Sequence, residues 1–433
     1  MKKTNTIIGT AAIIIACCMA LLVAGRDISP PEISDLSPKI SPAPEEQNAY
    51  THLIAAANAL VLPDDPSVIS ANINDKQIDN NDISAIIANN QPAFFLIDRA
   101  LKFDRCQAPE LGNSADMDSF YQIGLLLAAR AGHYRRTDQL DRSTSACTSL
   151  LRMGDMIHSD ARNLSAYGVG ITLLQTGLEQ ASFLAGCKTA SSSDLKLLTN
   201  ALAALRPLDQ GLTRAVQFQF QTVADAIEKF KSRGLSLEKT ISDSDGIPFI
   251  LRKTTWFPGY FFKENETKQT LAKLYRDTIH NIPLVYADMN LYNPEEYLGL
   301  TGSKTSFVLR PNFVGRIFYA FTTPELNTFL EGKCQMEGTV RATQLVVAIK
   351  AFQKTTGVLP DRLASLCPAY LKTVPLDPFD GLPFRYSRAK EIIYSVGKDL
   401  LDSGGSKEIP PGEIYGRDYP QTWIAEDAVF EIE

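Results

Sequence analysis

Two aspartates in a glycine-containing loop are the side chains of this sequence best suited to hold a cation. Asp399 and Asp402 are three residues apart in the segment Gly397–Gly405, which reads GKDLLDSGG. A loop of this kind can surround a hard cation with carboxylate and backbone carbonyl oxygens. Calcium is favoured over magnesium, because a long irregular loop can supply about six or more oxygens at flexible distances, whereas magnesium demands a tight octahedron.

The other reactive side chains form no recognisable catalytic pattern. The four histidines are scattered without metal-ligand spacing: His52, His133, His158 and His280. No zinc-protease, Cys-x-x-Cys, P-loop, Gly-x-Ser-x-Gly or dinucleotide-binding glycine motif occurs. Gly168-Val169-Gly170 lies inside an apolar helical stretch and is interpreted as close helix packing. We therefore expect a non-enzymatic protein with no catalytic or cofactor-binding residues, and a hydrolase in the helical region is the less favoured alternative.

The charge balance excludes a nucleic-acid-binding protein. The 433 residues include 43 Lys plus Arg and 49 Asp plus Glu, which gives a formal net charge of −6. From Lys398 to the end, nine acids accompany three bases, so this tail alone accounts for the net charge. No basic excess is available to bind phosphates along a nucleic acid.

Residues 1–26 have the features of a transmembrane anchor or a signal peptide. Lys2 and Lys3 precede an uncharged run, Ile7–Ala24, which as a helix would extend about 27 Å, close to the thickness of a bilayer core. As an anchor, it would leave the following chain outside the cytoplasm. As a signal peptide, it offers a small-residue cleavage site at Val23-Ala24-Gly25. The first alternative predicts an inner-membrane protein facing the periplasm, and the second predicts a periplasmic protein.

A linker and a helical domain follow. Residues 27–46 contain five prolines and no apolar period, so they predict a semi-rigid spacer. From residue 47 to 330, apolar residues recur every three or four positions, which predicts helices packed as a bundle or, as second choice, an α-solenoid. Asn265 and Asn312 precede apolar stretches and are expected to be N-caps. The main predicted helices are Asp82–Phe103, Asp116–His133, Thr137–His158, Asn163–Ala185, Ser192–Leu205 and Gly211–Arg233.

The carboxy-terminal domain, residues 331–433, adds a helix and a hairpin. Gln335–Thr356 carries Leu345, Ile349 and Phe352 on one stripe and ends before Gly357. Two short runs, Pro383–Arg388 and Ile392–Val396, predict an antiparallel hairpin. Asp377 and Asp380 lie in the turn before it and are expected to accept backbone N–H groups. The chain is thus predicted to be α+β: an N-terminal membrane helix, a large all-α domain and a small module of helix plus antiparallel sheet.

The order of short motifs in this module indicates a family. After the helix come Gly357-Val358-Leu359-Pro360, Leu363 and Leu366, Tyr370-Leu371, Val374–Phe379, Pro383–Tyr386 and Tyr394–Asp399. The stretch from Arg341 to Gly405 resembles the globular part of the type II secretion major pseudopilin, the G subunit, and the pseudopilin-like modules of large exported bacterial proteins. The preceding helical region resembles exported bacterial proteins that carry such a module.

The resemblance implies a calcium ion in the loop after the hairpin. Asp399 matches the family's Gly-x-Asp position, and Asp418, shortly before Trp423, matches a later carboxylate ligand. Asp402 is a further candidate on local grounds. A longer segment between Asp399 and Asp418 and Leu400 in place of glycine depart from the family pattern, so a solvated acidic tail is the alternative to calcium.

The sequence also departs from the family at its membrane segment. Pseudopilins have a cleavage glycine before the apolar helix and a glutamate five residues into the mature chain, but Ile14 is the fifth residue after Gly9. The apolar run also lies far upstream of the pilin-like helix. We therefore expect a membrane-anchored binding or scaffold protein with an unidentified protein or cell-envelope partner. A component of a secretion or pilus-like machine is the alternative.

Five cysteines follow the apolar run, and an exported chain can form disulfides. They are Cys106, Cys147, Cys187, Cys334 and Cys367, and an odd number leaves at least one unpaired. A helix over Gln335–Thr356 would be about 31 Å long, too long for the following link to bring Cys367 back to Cys334. Cys106 and Cys147 are the better candidates for a bridge, and unpaired cysteines buried as small apolar residues are the alternative.

Overall fold

The computed structural model describes residues 19–39, 41–63, 69, 80–108, 114–232, 258–293, 310–410 and 421–432. The described chain is mostly helical and contains a small antiparallel sheet, so the predicted α+β class is confirmed. Its α-helices are α1 (Tyr50–Asn58), α2 (Asn80–Asn89), α3 (Gln91–Ala100), α4 (Ser114–Arg136), α5 (Leu140–Ser159), α6 (Leu164–Gly186), α7 (Ser192–Ala203), α8 (Leu208–Ser232), α9 (Pro258–Phe261), α10 (Glu264–Asn281) and α11 (Phe313–Thr356).

Most predicted helices are present with shifted ends. The predicted helix Asp82–Phe103 is interrupted at Asn90, whose fully buried side chain donates to Val61 O and accepts from Val61 N, both at 2.8 Å. The largest difference is α11, which begins at Phe313 and runs for 44 residues, whereas the sequence predicted a helix from Gln335. The predicted domain boundary between residues 330 and 331 therefore lies inside one continuous helix.

The chain divides into two compact units. Unit 1 comprises Met1–Lys39, Val216–Asn281 and Asn290–Leu330, and unit 2 comprises Ile40–Ala215, Ile282–Met289 and Glu331–Glu433. The predicted helical domain, residues 47–330, thus contributes to both units.

Unit 2 contains a helical bundle in which α5 packs on α4, α6 and α7. Glycines allow α5 and α6 to approach closely: a Cβ on Gly154 would lie 2.6 Å from Leu174 N, and a Cβ on Gly170 would lie 2.4 Å from His158 N. The predicted packing role is therefore confirmed for Gly170. Gly168 has open space around its Cα.

The carboxy-terminal part of unit 2 forms a three-stranded antiparallel sheet. The strands are β1 (Arg385–Ser387), β2 (Ile392–Ser395) and β3 (Ala428–Glu431), in the order β1-β2-β3. Arg385 pairs with Tyr394 in the predicted hairpin, and Ile393 pairs with Phe430. The third strand lies within the acidic tail and was not predicted, because no short link joins it to β2 as one joins β1 to β2.

The turn before the hairpin is organised by Asp377, which is fully buried. Its carboxylate accepts from Phe379 N at 3.0 Å, Val396 N at 3.1 Å and Ser395 Oγ at 2.8 Å. Arg385 Nη1 lies 3.1 Å from it. The predicted structural role is confirmed, and this carboxylate joins the turn to both strands of the hairpin.

Unit 1 contains α9, α10 and the neighbouring parts of α8 and α11. Asn312, expected to cap its own following helix, has a positive φ of 56° and accepts from Lys263 N at 2.9 Å instead. Asn265 donates to Ile28 O at 2.7 Å. Both asparagines therefore join separate segments, and neither forms the predicted N-cap.

The first part of the proline-rich stretch is attached to unit 1, which differs from the predicted spacer. Leu36 is buried, and Arg276 donates to both carboxylate oxygens of Asp35 at 2.7 Å. Arg276 also donates to Glu32 O at 2.7 Å. Residues 27–39 therefore pack along α10. They do not form a spacer between this helix and the amino terminus.

Two further expectations concern the amino terminus and the cysteines. Among the described residues, no helix combines the length and the apolar character needed to cross a membrane. Residues 1–18 lie outside the described chain, and residues 19–24 are helical. The five cysteines are unpaired, so the favoured Cys106–Cys147 bridge is absent, and Cys334 and Cys367 are not joined, as expected. Cys147 is fully buried and its thiol donates to Gly177 O at 3.4 Å.

Candidate functional site

The loop after the hairpin places the predicted cation ligands in local turns. Asp399 Oδ1 accepts from Leu401 N at 3.0 Å, and Asp402 Oδ1 accepts from Gly404 N at 3.0 Å. Asp402 also accepts from the Tyr394 hydroxyl at 3.2 Å, and its Oδ2 lies 3.7 Å from Arg385 Nε. Asp402 is therefore already paired with a cation of the protein itself.

A residue that the sequence did not single out, Asp427, holds this loop together. Its carboxylate is fully buried and accepts from Gly405 N at 2.8 Å, Ser406 N at 3.1 Å and Ser403 N at 3.4 Å. Burial raises the pKa of the Asp427 carboxyl, while the three amide donors oppose that rise. Gly404 and Gly405 have φ of +69° and +78°, which turns successive N–H groups toward one carboxylate.

The donor set here does not make a calcium site by itself. Around Asp427 the backbone presents N–H groups, whereas calcium requires inward-pointing oxygens. Within the part of the chain that the structure describes, no three acidic, histidine or cysteine side chains are close enough to share a metal ion. Asp418, the third predicted ligand, lies outside the described residues.

A cleft in unit 2 lies beside β3. It encloses about 720 Å³ between the carboxyl ends of α4 and α6, Val346 of α11, and β3 with residues 407–409. Its lining combines apolar and charged side chains: Phe183, Cys187, Val346, Ile409, Val429 and Phe430 are apolar, and Arg135, Lys407, Asp427 and Glu431 are charged.

Two apolar side chains of this cleft are exposed to solvent. Phe183 is 43% exposed and Ile409 is 51% exposed. The Arg135 guanidinium lies 4.9 Å from the centroid of the Phe183 ring, which is a cation–π contact. Lys407 forms an ion pair with Glu431 on β3. A lining of apolar side chains with charged groups of both signs is suited to bind a polypeptide segment.

Two buried aspartates of unit 2 form ion pairs with arginines. Asp155 accepts from Arg206 N and Nε, both at 2.8 Å, and lies 3.4 Å from His158 Nε2. Asp160 binds Arg105 in the same way, at 2.9 Å. His158 is fully buried, and Gly211 packs against its backbone: a Cβ on Gly211 would lie 2.4 Å from His158 O. A substrate cannot reach His158 in this arrangement.

Sequence patterns could not reveal the cleft, because its lining comes from separate segments between residues 135 and 431. The acidic loop, in contrast, was visible as two aspartates among glycines, although Asp427 was not connected with it. The chain matches no family model, no curated protein and no solved structure.

Proposed function

We propose that this chain is an exported, membrane-anchored binding or scaffold protein without enzymatic activity, and that its carboxy-terminal module is pseudopilin-like. One observation supports the scaffold part of this proposal: the helix of the module is enclosed within unit 2. Five successive residues of α11, Leu345–Ile349, are each at most 3% exposed. Successive helical residues are about 100° apart, so these five residues sample every side of the helix.

Other segments of the same chain cover α11 on both sides. One apolar core contains Leu345 and Ile349 together with Leu198 and Leu202 of α7 and with Ile393 of β2. Polar contacts fix the same packing, since Gln344 Nε2 donates to Leu202 O at 3.1 Å and Lys354 donates to Ala190 O. The helix is therefore enclosed by its own bundle and its own sheet.

This enclosure favours a scaffold over a filament subunit. A subunit that assembles through its helix needs a helix face that is free to contact neighbouring copies. The bundle of unit 2 covers α11 at Leu345–Ile349, so this stretch has no free face. A component of a secretion or pilus-like machine is the second candidate, supported by the order of motifs in the module. A hydrolase is the third.

The cleft beside β3 is the proposed partner site. Exposed Phe183 and Ile409 offer apolar surface, and Arg135 and Lys407 place cations in its lining. We propose an extended segment of a cell-envelope protein as the partner, since aromatic and arginine side chains commonly anchor such contacts.

Calcium is proposed as a ligand of the acidic loop on the strength of the family resemblance. Binding by Asp399, Asp402 and Asp418 would require Asp402 to exchange its contact with Arg385 for the ion. The ion would add a second means of holding the loop, beside Asp427.

Export and assembly state can be tested on the whole chain. A reporter that is active only outside the cytoplasm, fused after Glu46, should be active, and replacing Lys2 and Lys3 by Glu should reduce that activity. The full chain in detergent should sediment as a discrete species. Filaments seen by electron microscopy would contradict the scaffold proposal and favour the second candidate, while an inactive reporter would contradict export.

A further inference from the structure

The end of the apolar run is built into unit 1 by direct backbone contact. A Cβ on Gly25 would lie 3.1 Å from Tyr260 N, and a Cβ on Gly259 would lie 2.6 Å from Gly25 O. Any side chain at Gly259 would therefore force the two segments apart. The backbone at the end of the apolar run thus packs directly on α9.

The next residues are fixed to α10. The Asp27 carboxylate accepts from Asn265 N at 2.8 Å and from Glu266 N at 3.0 Å. These are unsatisfied donors of the first turn of α10, so Asp27 caps a helix that lies far away in sequence. A carboxylate at this position also interacts favourably with the helix dipole. Asn265 donates in return to Ile28 O at 2.7 Å.

These contacts leave no flexible tether between the apolar run and unit 1. Gly25, Asp27, Ile28 and Asp35 are each bound to unit 1. The apolar run therefore leaves the folded unit at a fixed place, beside Tyr260 and Phe261. Those two rings are partly buried and pack against each other, with centroids 5.2 Å apart.

Where the apolar run meets unit 1, exposed apolar side chains lie close to the two aromatic rings. Met19, Leu22 and Val23 are 60%, 60% and 59% exposed, although they belong to the uncharged run Ile7–Ala24. Apolar side chains exposed on a helix that continues an apolar run are suited to lipid. Tyrosine rings are enriched at the membrane–water interface. Arg26 follows the run directly, and an arginine there can act as an interfacial anchor.

We infer that unit 1 lies against the phospholipid surface, with Tyr260 and Phe261 in the headgroup region beside the emerging helix and with Arg26 near the phosphates. The bilayer that contains the apolar run thus also covers this surface of unit 1. The inference rests on the proposed membrane anchoring and adds that unit 1 contacts the membrane surface.

Quenching by brominated lipids tests this arrangement. The full chain is reconstituted into vesicles of phosphatidylethanolamine and phosphatidylglycerol, with Tyr260→Trp as the probe. His280→Trp is the matched control, because His280 is an exposed residue near the other end of α10, about 24 Å from the capped end. The emission added by each new tryptophan is obtained by subtracting the wild-type spectrum.

We expect brominated lipid to remove most of the emission added at position 260 and to leave the emission added at position 280 nearly unchanged. Equal quenching at both positions, or none at position 260, would overturn the inference. Flotation of the same vesicles separates the two proposals. A chain that fails to float with lipid contradicts the anchoring itself, whereas a chain that floats with an unquenched tryptophan at position 260 contradicts only the seating of unit 1.

Discussion

The Trp423 ring packs directly on the Cα of Gly338. A Cβ at Gly338 would lie 2.5 Å from Trp423 Cη2, so only glycine leaves room for the ring. The indole N–H donates to Thr339 Oγ1 at 3.2 Å, and the ring stacks on Phe379 with centroids 5.3 Å apart. This side chain is one of the contacts that attach the acidic tail to α11; Ile432 packs in the same core as Leu345.

Replacing Gly338 by alanine should therefore destabilise unit 2. Forcing a methyl group into a packed contact typically costs about 1–3 kcal/mol. Gly332→Ala is the matched control, because Gly332 lies in the same helix with no atom near its Cβ position. The control should be stabilised by about 0.5–1 kcal/mol, since alanine favours helix more than glycine does. Urea unfolding followed by tryptophan fluorescence measures both changes, and equal effects would show that Trp423 does not contact this glycine.

The buried carboxylate of Asp155 should contribute to stability through Arg206. Asp155→Asn should lower the free energy of unfolding at neutral pH by about 2–4 kcal/mol, because Arg206 and His158 lose a charged partner. Asp141→Asn, at an exposed position in the same helix, is the control and should cost less than about 1 kcal/mol. Chemical denaturation of the three proteins gives the comparison, and matching losses would contradict the role of the buried pair.

The same pair predicts a pH dependence. Burial alone would raise the pKa of the Asp155 carboxyl, but the contacts with His158 and Arg206 outweigh burial and lower this pKa below its usual value. A lowered pKa in the folded state stabilises the protein above the unfolded-state pKa, near 4, and this contribution is lost as pH falls through the folded-state value. The stability difference between wild type and Asp155→Asn should therefore shrink below about pH 4. A difference that stays constant down to pH 3 would contradict the assignment.

Asp427 should be essential for the order of the loop after the hairpin. Asp427→Ala removes the acceptor of three backbone N–H groups and should cost about 2–4 kcal/mol. Asp399→Ala removes one local turn contact and should cost less than about 1 kcal/mol. Hydrogen exchange at Gly405 and Ser406 should accelerate strongly in the first variant and little in the second. Unchanged protection in Asp427→Ala would refute the role of this carboxylate.

Calcium binding by the acidic loop has a separate test. If the ion binds the folded chain, saturation at a hundredfold excess over the dissociation constant should stabilise it by about 2.7 kcal/mol. The thermal midpoint should rise with calcium, fall with chelator and become insensitive to both in Asp399→Ala. Asp361→Ala, at an exposed position that pairs with Arg388, is the control and should keep the response. A thermal midpoint of the wild type that does not change with calcium would rule the site out.

Local patterns predicted the parts of this fold that depend on near neighbours in sequence. The hairpin formed by β1 and β2, the packing role of Gly170 and the turn at Asp377 follow from spacing and residue type. These features need only a few residues to specify them, so the sequence contains the necessary information within one segment.

Contacts between distant segments could not be predicted in this way. Asp27 caps a helix that begins at Glu264, and Asn312 accepts from Lys263 N. In both cases the accepting side chain is distant in sequence from the backbone it binds, whereas capping rules applied along one segment place it directly before the first turn. The cleft and Asp427 were missed for the same reason, since their partners are brought together only by tertiary packing.

The most direct test of the proposed function is photo-crosslinking from the cleft. A benzoylphenylalanine at Phe183, in the intact chain in its native cells, should form an adduct with one cell-envelope protein. Phe95→benzoylphenylalanine is the control, because Phe95 is an equally aromatic side chain, 70% exposed, outside the cleft. We predict an adduct of defined mass from position 183, the same adduct from position 409 and none from position 95. No adduct from either cleft position, or the same adduct from all three, would contradict a binding role for this surface.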